Sequence, residues 1–404
     1  MLAQTPPMGW NSWNTFASDI HADLVKETAD KFIELGLDKA GYRYIVIDDC
    51  WAKRDRDPVT RRIVPDPVKF PKGMRDVSDY VHAKGLKFGM YSCAGVRTCA
   101  DFPGSFDHEF LDAKTFADYG ADFLKYDGCY VPASADMPLL YHRMGMALRT
   151  CGRDILFSAC NGGKDDCWAW VRACGVHMYR STGDIFDNFR SFSRIFWSQT
   201  PKSAHIDWTR PVGGFEDPAG LRGQARAAGG SAAHAPGCWN DLDMLTVGMF
   251  GKGNVGTTGC KANEYRMQFS LWCLASAPLM LGCDLRSLDV ETLALLTNPR
   301  LIAIDQDPEG RPPFVATKHP FAEHYCIAKL LADGDLALGF FNFGDADGDV
   351  PLYVDLLGIP DAVGLSLKCT DVLTGEDLGM VREFANPHVP AHDCRVWRAT
   401  PVWR

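Results

Sequence analysis

No stretch of the 404-residue sequence is apolar for long enough to cross a bilayer. The longest weakly polar run, residues 271–283, contains Ser276 and Pro278 and falls well short of the roughly 20 residues a spanning helix needs. Positive charge is in deficit too. Lys and Arg total 42 against 51 Asp and Glu, a formal net charge of −9, so the field repels phosphate backbones and anionic membrane surfaces, and neither nucleic acid nor membrane is expected as a partner. The 15 cysteines include no Cys-x-x-Cys pair, which removes zinc-ribbon and redox-centre readings, and their odd number leaves at least one thiol unpaired. HxH and HExxH patterns are missing and the histidines are scattered, so metal catalysis is not expected. The opening Met1-Leu2-Ala3-Gln4-Thr5-Pro6-Pro7 lacks both the basic and the apolar segment of a secretory signal, which points to a cytoplasmic location.

With 46% hydrophobic and 23% charged residues, the chain can bury a sizeable core, and disorder or a fibrous repeat is excluded. Short apolar runs rich in β-branched and aromatic residues recur at 7–13, 42–47, 86–90, 121–124, 155–157, 176–179, 237–243 and 277–282. Each runs into a polar or acidic cluster, and amphipathic segments such as 22–35 and 74–84, stopped by Gly36 and Gly85, lie between them. Eight such β/α units predict a (β/α)8 TIM barrel over residues 1–308, in which polar clusters at strand ends mark the active-site mouth. From about residue 311 the texture changes to short strand-like runs (337–342, 350–354, 394–399) between Gly, Asp and Pro turns, so residues 309–404 are expected to form a C-terminal antiparallel β-domain.

Several strand ends could carry chemistry. In a strand Lys125 and Asp127 project to the same face, and a lysine beside a carboxylate favours the ionised form a nucleophile needs; an isolated Lys-x-Asp is equally a structural ion pair. The run Tyr179-Arg180-Ser181-Thr182-Gly183-Asp184 carries a second carboxylate into a loop that can face Asp127, and two carboxylates in different environments are what glycoside hydrolysis requires. Asp184 alone also fits a helix N-cap. Asp48-Asp49-Cys50-Trp51 and Trp10-Asn11-Ser12-Trp13 supply adjacent acceptors and aromatic faces suited to a pyranose, with a divalent-metal site as the alternative for the aspartates. Gly251-Lys252-Gly253-Asn254-Val255-Gly256 matches GxGxxG but follows no clear strand and reads as a flexible loop. Residues 271–282 read as barrel core.

Taken together, Pro7-Met8-Gly9-Trp10-Asn11-Ser12-Trp13, Ile47-Asp48-Asp49-Cys50-Trp51, Lys125-Tyr126-Asp127-Gly128-Cys129, Tyr179 to Ile185 and Cys238-Trp239-Asn240-Asp241-Leu242-Asp243-Met244 resemble glycoside hydrolase family 27. That is the α-galactosidase and α-N-acetylgalactosaminidase family of retaining enzymes. The resemblance spans almost the whole chain and implies a barrel followed by a β-sandwich, an exo-acting glycoside hydrolase releasing terminal α-D-galactose, and no cofactor. Residue by residue it implies Asp127 as nucleophile and Asp184 as general acid/base. Asp48 and Asp49 would bind the 4- and 6-hydroxyls, Lys125 would bridge sugar hydroxyls and hold Asp127 ionised, and Arg180 and Asp243 would contact the 2-hydroxyl side. Trp13 and Tyr91 would line the pocket. Cys99 would face Cys129 at its wall, a pair disulfide-bonded in many relatives and left open here by the absence of an export signal.

Where many relatives carry Cys-Glu-Trp-Gly, this chain has Cys160-Asn161-Gly162-Gly163, which places Asn161 at the 2-position of the sugar. Losing a carboxylate and an indole makes room for a 2-acetamido group, whereas the two retained aspartates Asp48 and Asp49 favour a sugar with its C6 group. Galactose is therefore expected first, N-acetylgalactosamine second and L-arabinopyranose third. A catalytically silent galactoside-binding module and a metal-dependent hydrolase on the same barrel are the competing readings. Terminal α-galactosides are the expected partners, and homo-oligomerisation stays open.

Overall fold

In a computed structural model, which describes residues 2–199 and 234–403, the eight expected strands form one parallel sheet. They are β1 (Met8–Asn11), β2 (Tyr44–Val46), β3 (Lys87–Cys93), β4 (Phe123–Asp127), β5 (Leu156–Cys160), β6 (Met178–Arg180), β7 (Trp239–Asp241) and β8 (Leu279–Leu281). Pairing runs β7-β6-β5-β4-β3-β2-β1-β8, so the first strand meets the eighth. The remaining seam is closed just beyond β7, where Leu245 makes a parallel bridge to Leu281. Its N–H donates to the Met280 carbonyl at 2.8 Å, and its carbonyl accepts from the Gly282 N–H at 3.0 Å. The result is the (β/α)8 barrel.

The helix Ala22–Glu34 buries Leu24, Val25, Thr28, Ala29 and Phe32, a spacing that puts them on one stripe. It stops where Gly36 takes φ 70°, a left-handed conformation that glycine adopts without strain. Between β1 and β2 the approach is close enough that a Cβ on Gly9 would stand 2.5 Å from the Tyr44 carbonyl oxygen. Inside the barrel, Tyr44, Val46, Phe123, Leu156, Met178, Trp239 and Met280 form their own apolar cluster. Because strand side chains alternate, two residues further along the same inward rows come Asp48, Lys125, Ser158, Arg180 and Asp241, and two further still Asp127 and Cys160. The packed floor thus dictates which side chains reach the mouth.

After the barrel come β9 (Phe314–Lys318), β10 (His324–Leu330), β11 (Leu336–Asn342), β12 (Gly348–Asp349), β13 (Leu352–Tyr353), β14 (Leu365–Asp371), β15 (Asp377–Val381), β16 (Phe384–Ala385), β17 (His388–Val389) and β18 (Asp393–Trp403). Six of them form an antiparallel sheet in the order β15-β14-β18-β11-β10-β9, with β12-β17 and β13-β16 as two-stranded ladders. The run expected at 350–354 is a strand only at Leu352–Tyr353, because its partner β16 offers two residues and Val354–Leu357 then turns as a 3-10 helix.

Both faces of the large sheet are buried at its centre, while the edge strand β15 is exposed. Cys326, Ala328, Leu338, Phe340 and Leu367 pack under Val350, Leu352 and Val389, while the alternate residues Ile327, Ala337, Phe341, Cys394 and Val396 join the barrel core. The helix Ala262–Leu274 is the principal seat of that second face. Arg266 donates to both Asp393 oxygens at 2.9 and 2.5 Å, and Cys394 Sγ lies 3.5 Å from Ser270 Oγ. Lys329, fully buried, reaches across to Ser276 Oγ at 2.6 Å and the Ile304 carbonyl at 2.5 Å. Among the described residues no helix is long and apolar enough to cross a membrane.

Candidate active site

The mouth is built on strand ends. Asp48, just past β2, is buried; its Oδ2 accepts from Lys125 Nζ and from Asn11 Nδ2, each at 2.8 Å, and its Oδ1 accepts from the Asp49 N–H at 2.9 Å. Asp49 is held on the opposite side, its Oδ1 accepting from Thr98 Oγ1 at 2.9 Å and its Oδ2 from the Ala100 N–H at 3.0 Å. Burial pushes the Asp49 carboxyl up, against those hydrogen bonds. At the end of β4, Asp127 accepts from Tyr91 O–H at 3.1 Å and from the Gly128 N–H at 2.7 Å.

Lys125 therefore takes Asp48, rather than Asp127, as its direct carboxylate partner. Burial opposes the Lys125 charge, but Asp48, assisted by Asp127, outweighs it and holds the ammonium above the usual lysine range. The expectation that Lys125 keeps Asp127 ionised is met only in sign: its charge lowers the Asp127 carboxyl, yet burial is larger and leaves that carboxyl raised. Cys99 and Cys129 are joined as a disulfide, Cα atoms 5.3 Å apart, with Tyr91 O–H 3.5 Å from Cys99 Sγ. Cys99, Asp127 and Cys129 converge closely enough to suggest a metal triad, but their two sulfurs are spent on each other. Trp13 is half-buried beside this floor, its N–H on Asn11 Oδ1 at 2.9 Å.

Across the mouth stands Arg180, at the end of β6 and 5% exposed. Its Nη2 donates to Asp184 Oδ1 at 3.0 Å and its Nη1 to Asp243 Oδ1 at 2.9 Å. Asp184 is 69% exposed; desolvation at the mouth pushes its carboxyl up, but Arg180 and the more distant Lys125 outweigh this and hold it below the usual carboxylate range. It is not a helix N-cap, since the next helix begins only at Phe189. Asp243 is spent on structure: its Oδ2 accepts from the Ile185 N–H at 2.7 Å and its Oδ1 also from the Met244 N–H at 2.7 Å. It thereby ties the loop carrying Asp184 to the chain beyond β7.

Asn161, at the end of β5, closes its own turn, accepting from the Gly163 N–H at 3.1 Å and donating to the Lys164 carbonyl at 2.9 Å. A Cβ on neighbouring Gly162 would meet nothing closer than the Thr182 carbonyl oxygen at 3.9 Å. The Gly251 to Gly256 loop is pinned rather than free. Its Gly251 N–H goes to Asp187 Oδ2 at 2.7 Å, and its Asn254 and Val255 N–H groups to the Asn14 carbonyl, so the amides a phosphate would need are taken. Thr98 sits in a long loop without any local signal and was not anticipated; Asp241 stands in the run Cys238 to Met244 but was given no role, although its inward register on β7 was readable once the strand was placed.

Residues 5–307 match the family Alpha galactosidase A, and residues 323–399 match the Alpha galactosidase C-terminal beta sandwich domain. An alpha-galactosidase of Cyamopsis tetragonoloba is 37% identical over 99% of this chain and 87% of its own length. Among solved structures, alpha-galactosidase I from Mortierella vinacea superposes with a TM-score of 0.83 at 29% identity, covering 99% of this chain and 98% of that one. The alpha-galactosidase from Saccharomyces cerevisiae with raffinose does so with a TM-score of 0.82 at 26% identity, covering 99% and 98%. With barrel and β-domain matched in the same order over nearly its full length, the chain belongs to the alpha-galactosidase A family.

Proposed function

We propose that this protein is an exo-acting α-galactosidase that releases terminal galactose by double displacement with retention. The observation that carries the reading is the pair of unlike carboxylates on one mouth. Asp127 is sunk at the end of β4 and held by Tyr91 and Gly128, while Asp184 is on the exposed rim and held by Arg180. Asp127 attacks the anomeric carbon as the bond from that carbon to the glycosidic oxygen breaks, and Asp184 gives its proton to the departing oxygen. Asp184 then takes a proton from the water that attacks the same carbon, and Asp127 leaves. Burial and the nearby Lys125 charge oppose each other at Asp127, which keeps its carboxylate basic as well as available. When a sugar covers Asp184 and removes water from it, its carboxyl rises from the depressed value of the free state toward that of an acid.

Asp48, Asp49, Lys125, Trp13 and Tyr91 supply the sugar-binding wall in this reading, Arg180 and Asp243 the side nearest Asp184, and the Cys99–Cys129 bond the rim between β3 and β4. That disulfide fits an oxidising compartment better than the cytoplasm. A second reading, an N-acetylgalactosaminidase, is favoured by the Asn161 turn, whose amide is folded inward. Hydrolysis of p-nitrophenyl α-D-galactoside, its 2-acetamido analogue and p-nitrophenyl β-L-arabinopyranoside, by wild type and by Asp127→Ala, separates the readings. The galactoside is expected to dominate, the variant to be inactive, and NMR to show α-galactose as the first product. Inversion, or an active Asp127→Ala, refutes the mechanism; dominance of the acetamido substrate moves the specificity to the second reading.

A further inference from the structure

Asp241 takes no part in the scheme above, yet its position connects it to every group that controls Asp184. It pairs directly with Arg180 in the β6–β7 ladder, and in parallel strands such neighbours share a face. Both residues are buried. The Asp241 Oδ1 accepts from the Asp243 N–H at 2.9 Å, and Asp243 is held at φ 75°, a left-handed conformation that costs a non-glycine residue free energy and persists only where neighbours enforce it. From there the Asp243 carboxylate grips both Arg180 Nη1 and the Ile185 N–H. Arg180 Nε, in turn, is buried without a hydrogen-bond partner, while Nη2 also donates to the Thr182 carbonyl at 3.2 Å and Nη1 to the Cys160 sulfur at 4.0 Å. The guanidinium is thus held between Asp184 and Asp243, and its field is shared between them.

Resting on the assignment of Asp184 as acid/base, we propose that Asp241 is a positioning residue which, through Asp243 and Arg180, sets the proton affinity of Asp184. The charged groups facing Asp241 are Arg180 on β6, Asp243 beyond β7 and Lys125 on β4, and Arg180 is faced in turn by Asp243, the Cys160 thiol on β5, Asp184 on the loop after β6 and Asp241 itself. Burial is the largest influence on Asp241 and raises its carboxyl to about 7, against the pull of Arg180. Its charge therefore changes within the working range of an enzyme, and with it the share of the Arg180 field that reaches Asp184.

The test is the pH profile of kcat on p-nitrophenyl α-D-galactoside, which reads Asp184 in the substrate complex, for wild type, Asp241→Asn, Asp241→Ala and Asp184→Asn. Asp241→Asn keeps an oxygen acceptor for the Asp243 N–H and removes the charge. One negative neighbour fewer lets Arg180 favour ionised Asp184 more strongly, so the basic limb should move down by on the order of one pH unit. Asp241→Ala also frees the Asp243 backbone, and should lose at least tenfold more kcat than Asp241→Asn. A profile for Asp241→Asn that overlays the wild type after scaling overturns the proposal, as does equal behaviour of the Asn and Ala variants. Should Asp241→Asn not fold, 13C NMR of aspartate-labelled wild type, with Asp184 assigned through Asp184→Asn, reads the coupling directly. Asp184 should show a second inflection near pH 7, and its absence overturns the proposal. Failure of the functional reading itself looks different: wild type without hydrolysis, or Asp184→Asn with full activity.

Discussion

Replacing Asp48 with Asn tests the electrostatics of the pocket floor. Asp48 is 2% exposed, and its Oδ2 holds both Lys125 Nζ and Asn11 Nδ2 at 2.8 Å. The amide of Asp48→Asn cannot serve both donors at full charge, and Lys125, 14% exposed, is left as a poorly compensated buried cation. Breaking such a pair by removing one partner costs about 3–5 kcal/mol; with about 2.1 cal/mol/K of unfolding entropy per residue, that is a Tm loss of roughly 4–6 °C for a chain of this length. The pH dependence sharpens the test. In the wild type the folded Lys125 lies above its unfolded value, so its stabilisation is complete below the unfolded pKa and lost only as pH rises through the folded one. Without Asp48 burial dominates, the folded value drops below the unfolded one, and the variant gains stability as pH rises. The gap to wild type should therefore be wider at pH 7 than at pH 9.5 in denaturant titrations. Loss of the Lys125 charge also raises Asp127 further, moving the acidic limb of kcat/KM to higher pH. A variant melting within 1 °C of wild type, or a gap independent of pH, refutes this account.

Gly9→Ala should destabilise the barrel by about 1–3 kcal/mol or more, because the new Cβ would meet the Tyr44 carbonyl oxygen at 2.5 Å and Tyr44 Cβ at 2.7 Å; thermal melting within error of wild type would show that the strands can part freely. Arg266→Met removes a bidentate clamp on Asp393, which is 8% exposed, but Arg266 is itself 36% exposed, so the loss should be about 1–3 kcal/mol. Tryptophan fluorescence and circular dichroism should then cease to report one coincident denaturant transition, and continued coincidence at unchanged midpoint counts against the clamp. The double replacement Cys99→Ser with Cys129→Ser opens a loop of sequence separation 30, a cost of about 3–4 kcal/mol from chain entropy. It should raise KM for the aryl galactoside as the Tyr91 side of the wall loosens; an unaltered KM would show the bond to be structural alone.

Most of the barrel was readable because its signals are local. Each strand is a short apolar run followed by a polar end, and helix-stopping glycines such as Gly36 and Gly85 are written in one place. The polar ends lie further inside the ladders than the runs suggest: β3 extends to Cys93, β4 to Asp127 and β6 to Arg180, since parallel hydrogen bonding does not end with hydrophobicity. What the sequence leaves out is partner choice. Lys125 is two residues from Asp127 and 77 from Asp48, and only barrel closure selects the distant carboxylate. The pinned Gly251 to Gly256 loop depends on Asp187 and Asn14 in the same way, and the inward fold of the Asn161 amide depends on a turn no pattern announces. Asp127 lies on the floor of the mouth and Asp184 on its rim, while the Asn161 amide is bonded within its own turn.

The central position of β18 in the β-domain sheet also bears on the order in which a ribosome delivers the protein. Flanked by β14 and β11, β18 is synthesised after all five of the strands it organises. Until it emerges, β11 and β14 present unpaired edges, and the Arg266 and Ser270 side of the helix Ala262–Leu274 lacks the Asp393 and Cys394 partners it has in the finished molecule. A nascent chain that stalls near residue 390 would therefore carry a nearly complete barrel with an open, sticky flank. Such a species is a natural client for a holding chaperone.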